Sequence, residues 1–580
     1  MPSCPTMTGS RRAILGGFLT LVASSALAQT APGRFADVVF VNGRFATLDA
    51  AKPEASAVAI RDGKFLAVGS DEEVLRHVGP GTRRIDLEGR TVVPGLIDAH
   101  THPMETIYLK EEWVDARFPG TASVAQALEN IAARAKRTPE GAWIFVACVS
   151  ASENKFAEKR LPTRAELDRV APAQAVVLAN GTHMAIANST ALKKLGVAKG
   201  MTRLPNGGGV ILDSNGEPTG VLTDAQGDIP AFPSPAEMEQ SYASKIQALW
   251  NRYGFTSVLA ITPSAAMPIL RKVAAGGAMP SLRYTVSVWS SANSENMPED
   301  VSGFEMPASA DPAYYRFAAL KDWVDGENDC RTGYMYENYL GHFETDPPGN
   351  RGTLVTPPAA ADRFASIAAK AGKIAMFHCS GDAATDLALD AIERTRPPAS
   401  ATPRHRIEHF GMFQLSDRQL ERARALHARG LSVSVQPSWL LGLARANVEN
   451  MGRKLALTGF RFRTMIEAGL EPAAGTDMTG IYLENIDPMR AIYACVTRSS
   501  DAGPFAPDEA VTVPDALRMW TLWAAKAMGE GDTKGSIEIG KFADLTVLSD
   551  DIFSIPPQKL KEVRTLKTIV GGRVVYEAPR

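Results

Sequence analysis

The middle of the chain alternates short apolar runs with longer amphipathic stretches, and this alternation restricts the fold more than any other feature. An apolar run of strand length ends at Asp98. Seven more follow, at Thr256–Ala260, Arg283–Trp289, Arg316–Trp323, Ile374–Phe377, Arg406–Glu408, Ser432–Val435 and Pro472–Ala474. Strands that alternate with helices are typical of an α/β fold with a parallel sheet. Eight such units predict a (β/α)8 TIM barrel, whose reactive groups lie at the carboxyl ends of the strands.

Both ends of the chain carry β-rich runs that lack a core of their own. Asn42-Gly43 and Asp62-Gly63 are hairpin turn signals between the N-terminal runs, and Gly571-Gly572 separates the last two C-terminal runs. We therefore expect one small β-sandwich domain built from residues 36–95 plus 535–578, beside a barrel domain at 96–534. The stretch after the first barrel strand is too long for one β/α connection. Residues 105–228 are predicted to form an inserted subdomain that caps the barrel mouth.

Residues 1–28 have the pattern of an export signal. Arg11 and Arg12 precede an apolar, small-residue stretch that ends in Ala26-Leu27-Ala28, and this order is typical of a secretory signal peptide. The two arginines favour the twin-arginine route, with an ordinary Sec signal or an uncleaved membrane anchor as alternatives. We expect a bacterial periplasmic or secreted protein with no stable membrane association after cleavage.

The balance of charged residues indicates which classes of partner to expect. The 580 residues include 62 lysines and arginines against 64 aspartates and glutamates, and no long run of one charge suggests nucleic acid or an anionic membrane as a partner. A small-molecule substrate is the expected ligand, and the oligomeric state stays open, with a homodimer considered. After signal removal four scattered cysteines remain, which indicate small buried residues rather than disulfides.

His100 and His102 form the first candidate metal site. They follow the run Val93–Ala99 as a His-X-His pair, and alternate residues of a strand face the same way. Imidazole is a common ligand of zinc. Two polar histidines at a solvent-facing strand edge are the alternative interpretation.

Further metal-capable residues follow later predicted strands. His378, His409 and Asp477 each lie where an apolar strand meets a polar loop, which in a barrel is the catalytic rim. A shared metal centre explains these positions better than separate core residues do. Lys321 interrupts the apolar run of residues 317–320. A desolvated lysine loses its proton and can form a carbamate with carbon dioxide, whereas pairing with Asp322 or Asp325 is the alternative.

Taken in order, these residues resemble the amidohydrolase superfamily. The set comprises His100-Thr101-His102, Lys321, His378, His409 and Asp477, and the block Gly535–Asp544 is similar to its flanking sandwich. The YtcJ-like branch, which includes N-substituted formamide deformylases, is similar in four further blocks: Arg160–Arg164, Gly216–Gly220, His378–Asp382 and Arg404–His409. The resemblance covers about residues 36–577.

The resemblance implies roles for these residues. His100, His102 and Asp477 would bind one divalent metal, expected to be Zn²⁺, and His378 and His409 would bind a second. Lys321 as a carbamate would bridge the two, so one or two metals are expected per chain. Asp477 would also serve as the catalytic base and then acid.

Substrate contacts are predicted near the mouth of the barrel. His183 matches a branch position that contacts substrate and assists catalysis, with a plain loop histidine as the alternative, and Trp323 and Asp325 are the other predicted contacts. Trp439 and Tyr482 are further candidates for an aromatic pocket, although core packing explains each equally well. The sequence departs from relatives at Glu327–Cys330 and at Met478, which puts the substrate in doubt rather than the metal site.

The predicted reaction is hydrolysis of an amide, N-formyl or cyclic amide C–N bond by metal-activated hydroxide. An esterase or lactonase, or a decarboxylase or hydratase, could use the same residues. A catalytically inactive periplasmic binding protein is a third alternative, although no predicted ligand is missing from the sequence.

Overall fold

The computed structural model describes residues 35–579, apart from 150–151, 182, 206, 226, 231–232, 278, 290–296, 341–345, 347, 396–398 and 400–401. The predicted signal at 1–28 lies outside the described residues. Within the described range, none of the helices is both long enough and apolar enough to cross a membrane. The four cysteines of this range are buried and unbridged, as the sequence indicated.

The strands are β1 Val38–Val41, β2 Arg44–Ala46, β3 Glu54–Ala55, β4 Ala57–Arg61, β5 Lys64–Gly69, β6 Arg83–Asp86, β7 Thr91–Pro94, β8 Leu96–Thr101, β9 Val114–Asp115, β10 Trp143–Cys148, β11 Ala175–Asn180, β12 Met184–Ala187, β13 Gly209–Leu212, β14 Pro218–Thr223, β15 Phe255–Pro263, β16 Arg283–Trp289, β17 Tyr315–Trp323, β18 Ile374–His378, β19 His405–Glu408, β20 Leu431–Val435, β21 Ala473–Ala474, β22 Leu545–Leu548, β23 Thr565–Val570 and β24 Arg573–Glu577.

The helices are α1 Asp71–Leu75, α2 Pro103–Glu111, α3 Val124–Ala135, α4 Ser152–Lys155, α5 Arg164–Val170, α6 Ser189–Lys194, α7 Pro235–Gln240, α8 Ile246–Arg252, α9 Met267–Ala275, α10 Pro358–Lys370, α11 Asp382–Thr395, α12 Asp417–His427, α13 Leu440–Met451, α14 Arg453–Ala456, α15 Phe462–Glu467, α16 Pro488–Thr497, α17 Val513–Met519 and α18 Leu522–Ala527. A π-helical turn, Ser241–Lys245, joins α7 to α8.

The predicted eight-stranded parallel barrel is confirmed. Its strands lie in the order β21-β20-β19-β18-β17-β16-β15-β8, and each neighbouring pair is parallel. Strand β15 is buried at every position, as expected for strands covered on both faces. The first barrel strand continues past the predicted end at Asp98 to Thr101.

The last barrel strand, β21, is not paired with the first, β8, but the segment that follows β21 lies directly against β8 and closes the barrel. The Asp477 backbone N donates to His100 O at 2.8 Å. A Cβ on Gly475 would lie 2.5 Å from the His100 Cβ and 2.6 Å from its backbone N, so a side chain at this position would push the two segments apart. Gly475 therefore lets the last strand bring Asp477 beside His100.

Two sheets lie outside the barrel at the chain ends. One has the order β5-β4-β1-β6, and the other, β24-β23-β22-β7-β2-β3, takes strands from both ends of the chain. A single apolar cluster includes residues of both ends, such as Phe40 and Leu545. The N- and C-terminal β-rich runs therefore share one core.

One of the two predicted N-terminal hairpins is correct. Asp62-Gly63 joins the antiparallel strands β4 and β5, with both residues at positive φ. The prediction for Asn42-Gly43 is wrong, because β1 pairs with β4 and β6 while β2 pairs with β3 and β7. Both edges of β1 are already occupied, so the chain turns at Asn42 into the other sheet.

The chain segment between the first two barrel strands, β8 and β15, forms a separate six-stranded sheet. Its order is β13-β14-β12-β11-β10-β9, with helices α3 to α6 in the connections. Two of the motifs noted in the sequence have structural roles here. Thr163 caps α5 through a capping box with Glu166, and Gly216 takes φ +75° in the turn between β13 and β14. This sheet supplies one wall of the cavity described below.

A buried ion pair joins the barrel to the sheet made from both ends. Arg283 donates through Nε and Nη2 to the two carboxylate oxygens of Asp544, at 2.7 and 2.8 Å. We expect Asp544→Ala to lower the free energy of unfolding by about 3–5 kcal/mol, because it leaves a buried guanidinium without its partner. Denaturant unfolding measures this change. Glu467→Ala, which removes an exposed pair with Arg463, should cost less than about 1 kcal/mol, and equal effects would contradict the prediction.

Candidate metal centre

The end of β8 places His100 and His102 at the carboxyl rim of the barrel. His100 lies in the strand, and His102 follows it directly before α2. Asp98, on the same strand, accepts hydrogen bonds from Thr476 N at 2.8 Å, Thr476 Oγ1 at 2.7 Å and Trp250 Nε1 at 2.9 Å. Burial raises the pKa of Asp98 to about 6. The two bonds from Thr476 hold β8 against the loop that follows β21, and the bond from Trp250 ties β8 to α8.

That loop carries Asp477 to the two histidines. Its Oδ1 lies 3.3 Å from Nε2 of His100 and 3.3 Å from Nε2 of His102. Its backbone φ is +44°, a conformation that non-glycine residues rarely adopt and that is often found at functional sites. Burial alone would raise the pKa of the Asp477 carboxyl, but the neighbouring His100 and His102 hold it well below its usual range. The carboxylate and two imidazoles therefore converge on one point.

His378 and His409 bring two more imidazoles to the same rim. His378 ends β18 and His409 follows β19. Their ring centroids are 4.5 Å apart, and the His409 ring is 4.9 Å from that of His100. His409 Nδ1 is hydrogen-bonded to Gln436 Oε1 at 2.7 Å, which leaves Nε2 for a ligand. Burial lowers the pKa of both His378 and His409 well below the usual value, so both rings are neutral, the form that binds metals.

Glu408 supports His100 from behind and was not among the predicted site residues. Glu408 Oε2 and His100 Nδ1 share a short hydrogen bond. Arg406 donates to Glu408 through Nε at 2.5 Å and Nη2 at 2.8 Å. Burial would raise the pKa of Glu408, but Arg406 and His100 hold it well below its usual value. A carboxylate behind a ligating imidazole fixes the ring and strengthens it as a ligand.

We expect Glu408→Gln to weaken metal binding by about 10–100-fold, because the amide is a weaker partner for His100 Nδ1. Elemental analysis after dialysis against buffers of fixed free zinc measures the affinity. Glu393→Gln changes an exposed helical carboxylate and should leave affinity unchanged. Equal affinity in the Glu408 variant and the wild type would contradict this role.

Lys321 lies inside the barrel on β17, paired in register with Met376. Its side chain is buried, and Nζ has no hydrogen-bond partner among the described residues. The ring of Trp323 is 5.2 Å from Nζ. Burial lowers the pKa of Lys321. The alternative that Lys321 pairs with Asp322 or Asp325 is therefore wrong.

The donor atoms at this rim fit a divalent metal. His100 Nε2, Asp477 Oδ1 and Lys321 Nζ are buried without a hydrogen-bond partner in the described part of the chain. Buried polar atoms nearly always have partners, so these atoms indicate a missing ligand. Three sets of potential ligand atoms lie mutually within 4.8 Å: His100 with His102 and Asp477, Glu327 with His409 and Asp477, and His183 with Glu327 and His378. Imidazole and carboxylate donors are those that zinc prefers.

The six-stranded inserted sheet contributes His183 to the same region. His183 Nδ1 is 2.8 Å from Asp224 Oδ1, and its Nε2 is 3.6 Å from Glu327 Oε1. The ring centroid lies 5.1 Å from that of His378. Asp224 was not among the predicted site residues, and Glu327 was predicted only as an acidic departure from relatives. An acidic residue directly after the Asp325-Gly326 pair was the available signal for Glu327.

Asp325 has a different environment from the one the sequence suggested for a substrate contact. Its carboxylate accepts three backbone N–H groups, from Ser380 at 2.9 Å, Gly381 at 2.7 Å and Tyr334 at 2.8 Å. It is fully buried and does not line the cavity. Asp325 therefore holds the loops that follow β17 and β18, and Glu327 is the acidic residue of this loop that faces the cavity.

A cavity of about 150 Å³ opens beside the imidazoles. Its wall includes His102, His183, His378, His409 and Asp477 from the centre. Most of the remaining wall is apolar, and it comes from α2, from the inserted sheet and from the barrel rim. Trp323 lines the cavity, as predicted for a pocket residue. Trp439 and Tyr482 do not line the cavity. The Trp439 ring stacks on the His409 ring with their centroids 5.1 Å apart, and the Tyr482 hydroxyl accepts a hydrogen bond from Lys155 Nζ at 2.9 Å.

Curated proteins and a solved structure resemble this chain over nearly all of its length. It is 30% identical to the N-substituted formamide deformylase of Arthrobacter pascens, covering 93% of this chain and 98% of that one. It is 28% identical to the putative amidohydrolase YtcJ of Bacillus subtilis, covering 90% and 96%. An uncharacterised metal-dependent hydrolase from Pyrococcus horikoshii shares the fold, with a TM-score of 0.68, 23% identity and coverage of 90% and 99%.

A family model agrees with this similarity. The model described as "Amidohydrolase family" matches residues 83–576, which include the whole barrel and every predicted metal ligand. The predicted resemblance is confirmed: the chain belongs to the amidohydrolase family.

Proposed function

We propose that this protein is a metal-dependent hydrolase that cleaves the C–N bond of a small amide, N-formyl compound or cyclic amide. The observation that carries the proposal is the convergence of Asp477 Oδ1 on Nε2 of His100 and His102, at 3.3 Å each, beside the rings of His378 and His409. The similarity to a formamide deformylase supports a C–N bond as the target.

The ligands most suited to a first divalent ion, which we expect to be zinc, are His100, His102 and Asp477. His378 and His409 suit a second ion. Such an ion lowers the pKa of water toward neutrality and polarises a carbonyl group. The centre would therefore supply both a nucleophile and an electrophile to an amide in the adjoining cavity.

Residues of the protein transfer the protons and stabilise the developing charge. Asp477, ionised and beside the centre, accepts a proton from the attacking water and returns it to the leaving nitrogen. The water oxygen bonds to the carbonyl carbon, the C–N bond breaks, and an acid and an amine result. His183 Nε2 lies on the cap side of the same centre, and we assign it as a hydrogen-bond donor to the carbonyl oxygen as negative charge develops there. This role requires a proton on Nε2 in addition to the one that Nδ1 donates to Asp224. Asp224 orients the His183 ring by its 2.8 Å bond to Nδ1.

Lys321 is the proposed bridging ligand, as a carbamate. Lys321 Nζ is buried without a hydrogen-bond partner among the described residues, and burial lowers its pKa. Both features favour the free amine, which can add to carbon dioxide with loss of a proton. The carbamate then offers two oxygens to the neighbouring centre. Intact-mass measurement of gently handled protein tests for the added carbon dioxide.

An assay for both products tests the reaction. Metal-loaded protein is incubated with N-formyl amines, linear amides, cyclic amides, esters and lactones, and released amine, acid and carbon dioxide are measured. We expect amine release that chelation abolishes and zinc restores. Ester or lactone cleavage alone, or carbon dioxide release without amine, would favour the rival chemistries. Tight ligand binding with no turnover would favour an inactive binding protein.

We also propose export from the cytoplasm, supported by the Arg11-Arg12 pair and the apolar stretch after it. Fractionation of a bacterium that expresses the full chain tests this. A switch from the periplasm to the cytoplasm when both arginines become lysine would support the twin-arginine route.

A further inference from the structure

We propose that this site selects uncharged substrates and rejects anionic ones, because the cavity offers no positive side chain to a substrate group that lies away from the metals. This inference deepens the proposed function and rests on it. It concerns the part of the substrate that the hydrolysis leaves unchanged.

The ionisable side chains of the cavity wall are carboxyl groups and imidazoles. The carboxyl groups belong to Glu105, Glu327 and Asp477, and no lysine or arginine lies among the described lining residues. Among the undescribed residues between 35 and 579, Arg396 is the only lysine or arginine. Lys321 does not line the cavity, and the ring of Trp323, which does, is 5.2 Å from its Nζ. A substrate carboxylate or phosphate would therefore be buried without a counter-charge from the protein, which is strongly unfavourable.

Two of these carboxyl groups adjoin the imidazoles of the centre. Glu105 Oε2 is 3.5 Å from His102 Nδ1, and Glu327 Oε1 is 3.6 Å from His183 Nε2. Both acids are therefore next to the imidazoles. Beyond them the wall is built from apolar side chains, with Met238 and Ile229 on the segment after the inserted sheet and Trp289 at the end of β16.

The size of the whole cavity, including the part beside the imidazoles, limits the substrate group that fits. A cavity of about 150 Å³ is comparable to engineered apolar cavities that bind one benzene ring. Met238 and Trp289 are buried and line the cavity, so a group packed against either side chain loses contact with water. The geometry points to an uncharged amide that carries one ring-sized apolar group on its nitrogen or acyl side.

Paired ligands that differ only in charge test this selection. The probes are benzyl alcohol and 4-(hydroxymethyl)benzoate, and binding is followed by fluorescence of the tryptophans that line the cavity. The same comparison is made in hydrolysis with the N-formyl derivatives of benzylamine and 4-(aminomethyl)benzoate. We expect the uncharged member of each pair to be preferred by at least about tenfold. Equal binding or preference for the carboxylate would overturn the inference.

A charge placed in the wall should change the preference. Met238→Lys puts a cation among the apolar lining residues, and we expect it to reduce the preference for the uncharged probe by about tenfold. Ile229→Lys, at a half-buried lining position, is the second variant if the first does not fold. Met279→Lys is the matched control, because Met279 is exposed and lies outside the cavity. An equal change in the control would attribute the effect to net charge and overturn the inference.

The two proposals fail in different ways. If no amide, formamide or cyclic amide is hydrolysed, the proposed function is wrong, and the fluorescence titration alone decides the inference. If both N-formyl compounds are hydrolysed at similar kcat/KM, the function stands and the selection against anions is wrong.

Discussion

Asp477→Asn is expected to lower kcat by about 10²–10⁴-fold, the range associated with loss of a general acid–base group. The asparagine amide keeps the size of the side chain, but it cannot accept the proton of the attacking water. Steady-state kinetics on the amide found in the product assay measure the change. Metal content must be measured in the same samples, because Asp477 Oδ1 also lies 3.3 Å from Nε2 of His100 and His102.

The control for this substitution is Asp417→Asn, which changes an exposed aspartate at the start of α12. We expect full activity and metal content in the control. An Asp477→Asn enzyme that retains its metal and works within threefold of the wild-type rate would show that Asp477 is not the proton acceptor. Full loss of metal would show that Asp477 acts first as a ligand, and Asp477→Glu would then separate the two roles through its kcat at full metal occupancy.

Lys321→Met is expected to lower kcat/KM by about 100-fold or more, because the centre would lose the bridging ligand that we propose for Lys321. The methionine fits a position where the lysine is buried, with no hydrogen bond to lose. Metal content should fall by one ion per chain. Acetate or propionate in the buffer should restore part of the activity, since either supplies the carboxylate that the carbamate provided.

Lys373→Met provides the comparison. Lys373 lies at the opposite end of the barrel, just before β18, where it pairs with Glu305 at 2.6 Å, and its loss should leave kcat/KM unchanged. Activity of the Lys321 variant within threefold of wild type, with full metal content, would contradict a bridging role. Loss of activity without any carboxylate rescue, in protein whose mass never includes carbon dioxide, would assign Lys321 a different function.

The sequence was most informative where one segment carried its own signal. Each apolar run was long enough to identify a buried strand, and the polar residue at its end could be placed at the carboxyl rim of a barrel. The candidates located in this way were His100, His102, His378, His409 and Asp477. The position of Lys321 within an apolar run left two interpretations open, and its predicted metal role came from the family resemblance. The hairpin predicted at Asn42-Gly43 was wrong, because the local turn signal does not reveal that β1 already has partner strands on both edges.

The amino-acid sequence by itself determined the eight-stranded barrel and the metal-capable residues at its rim, because strand periodicity and chain order are local properties. The tertiary structure alone decided which groups support and surround them. Glu408 reaches His100 across 308 positions of sequence, and Asp224 orients His183 across 41. The tertiary structure also shows that Asp325 binds the backbone of the loops after β17 and β18, whereas Glu327 lines the cavity. These pairings depend on which strand ends and loops meet in space, and no periodicity within a single segment contains that information.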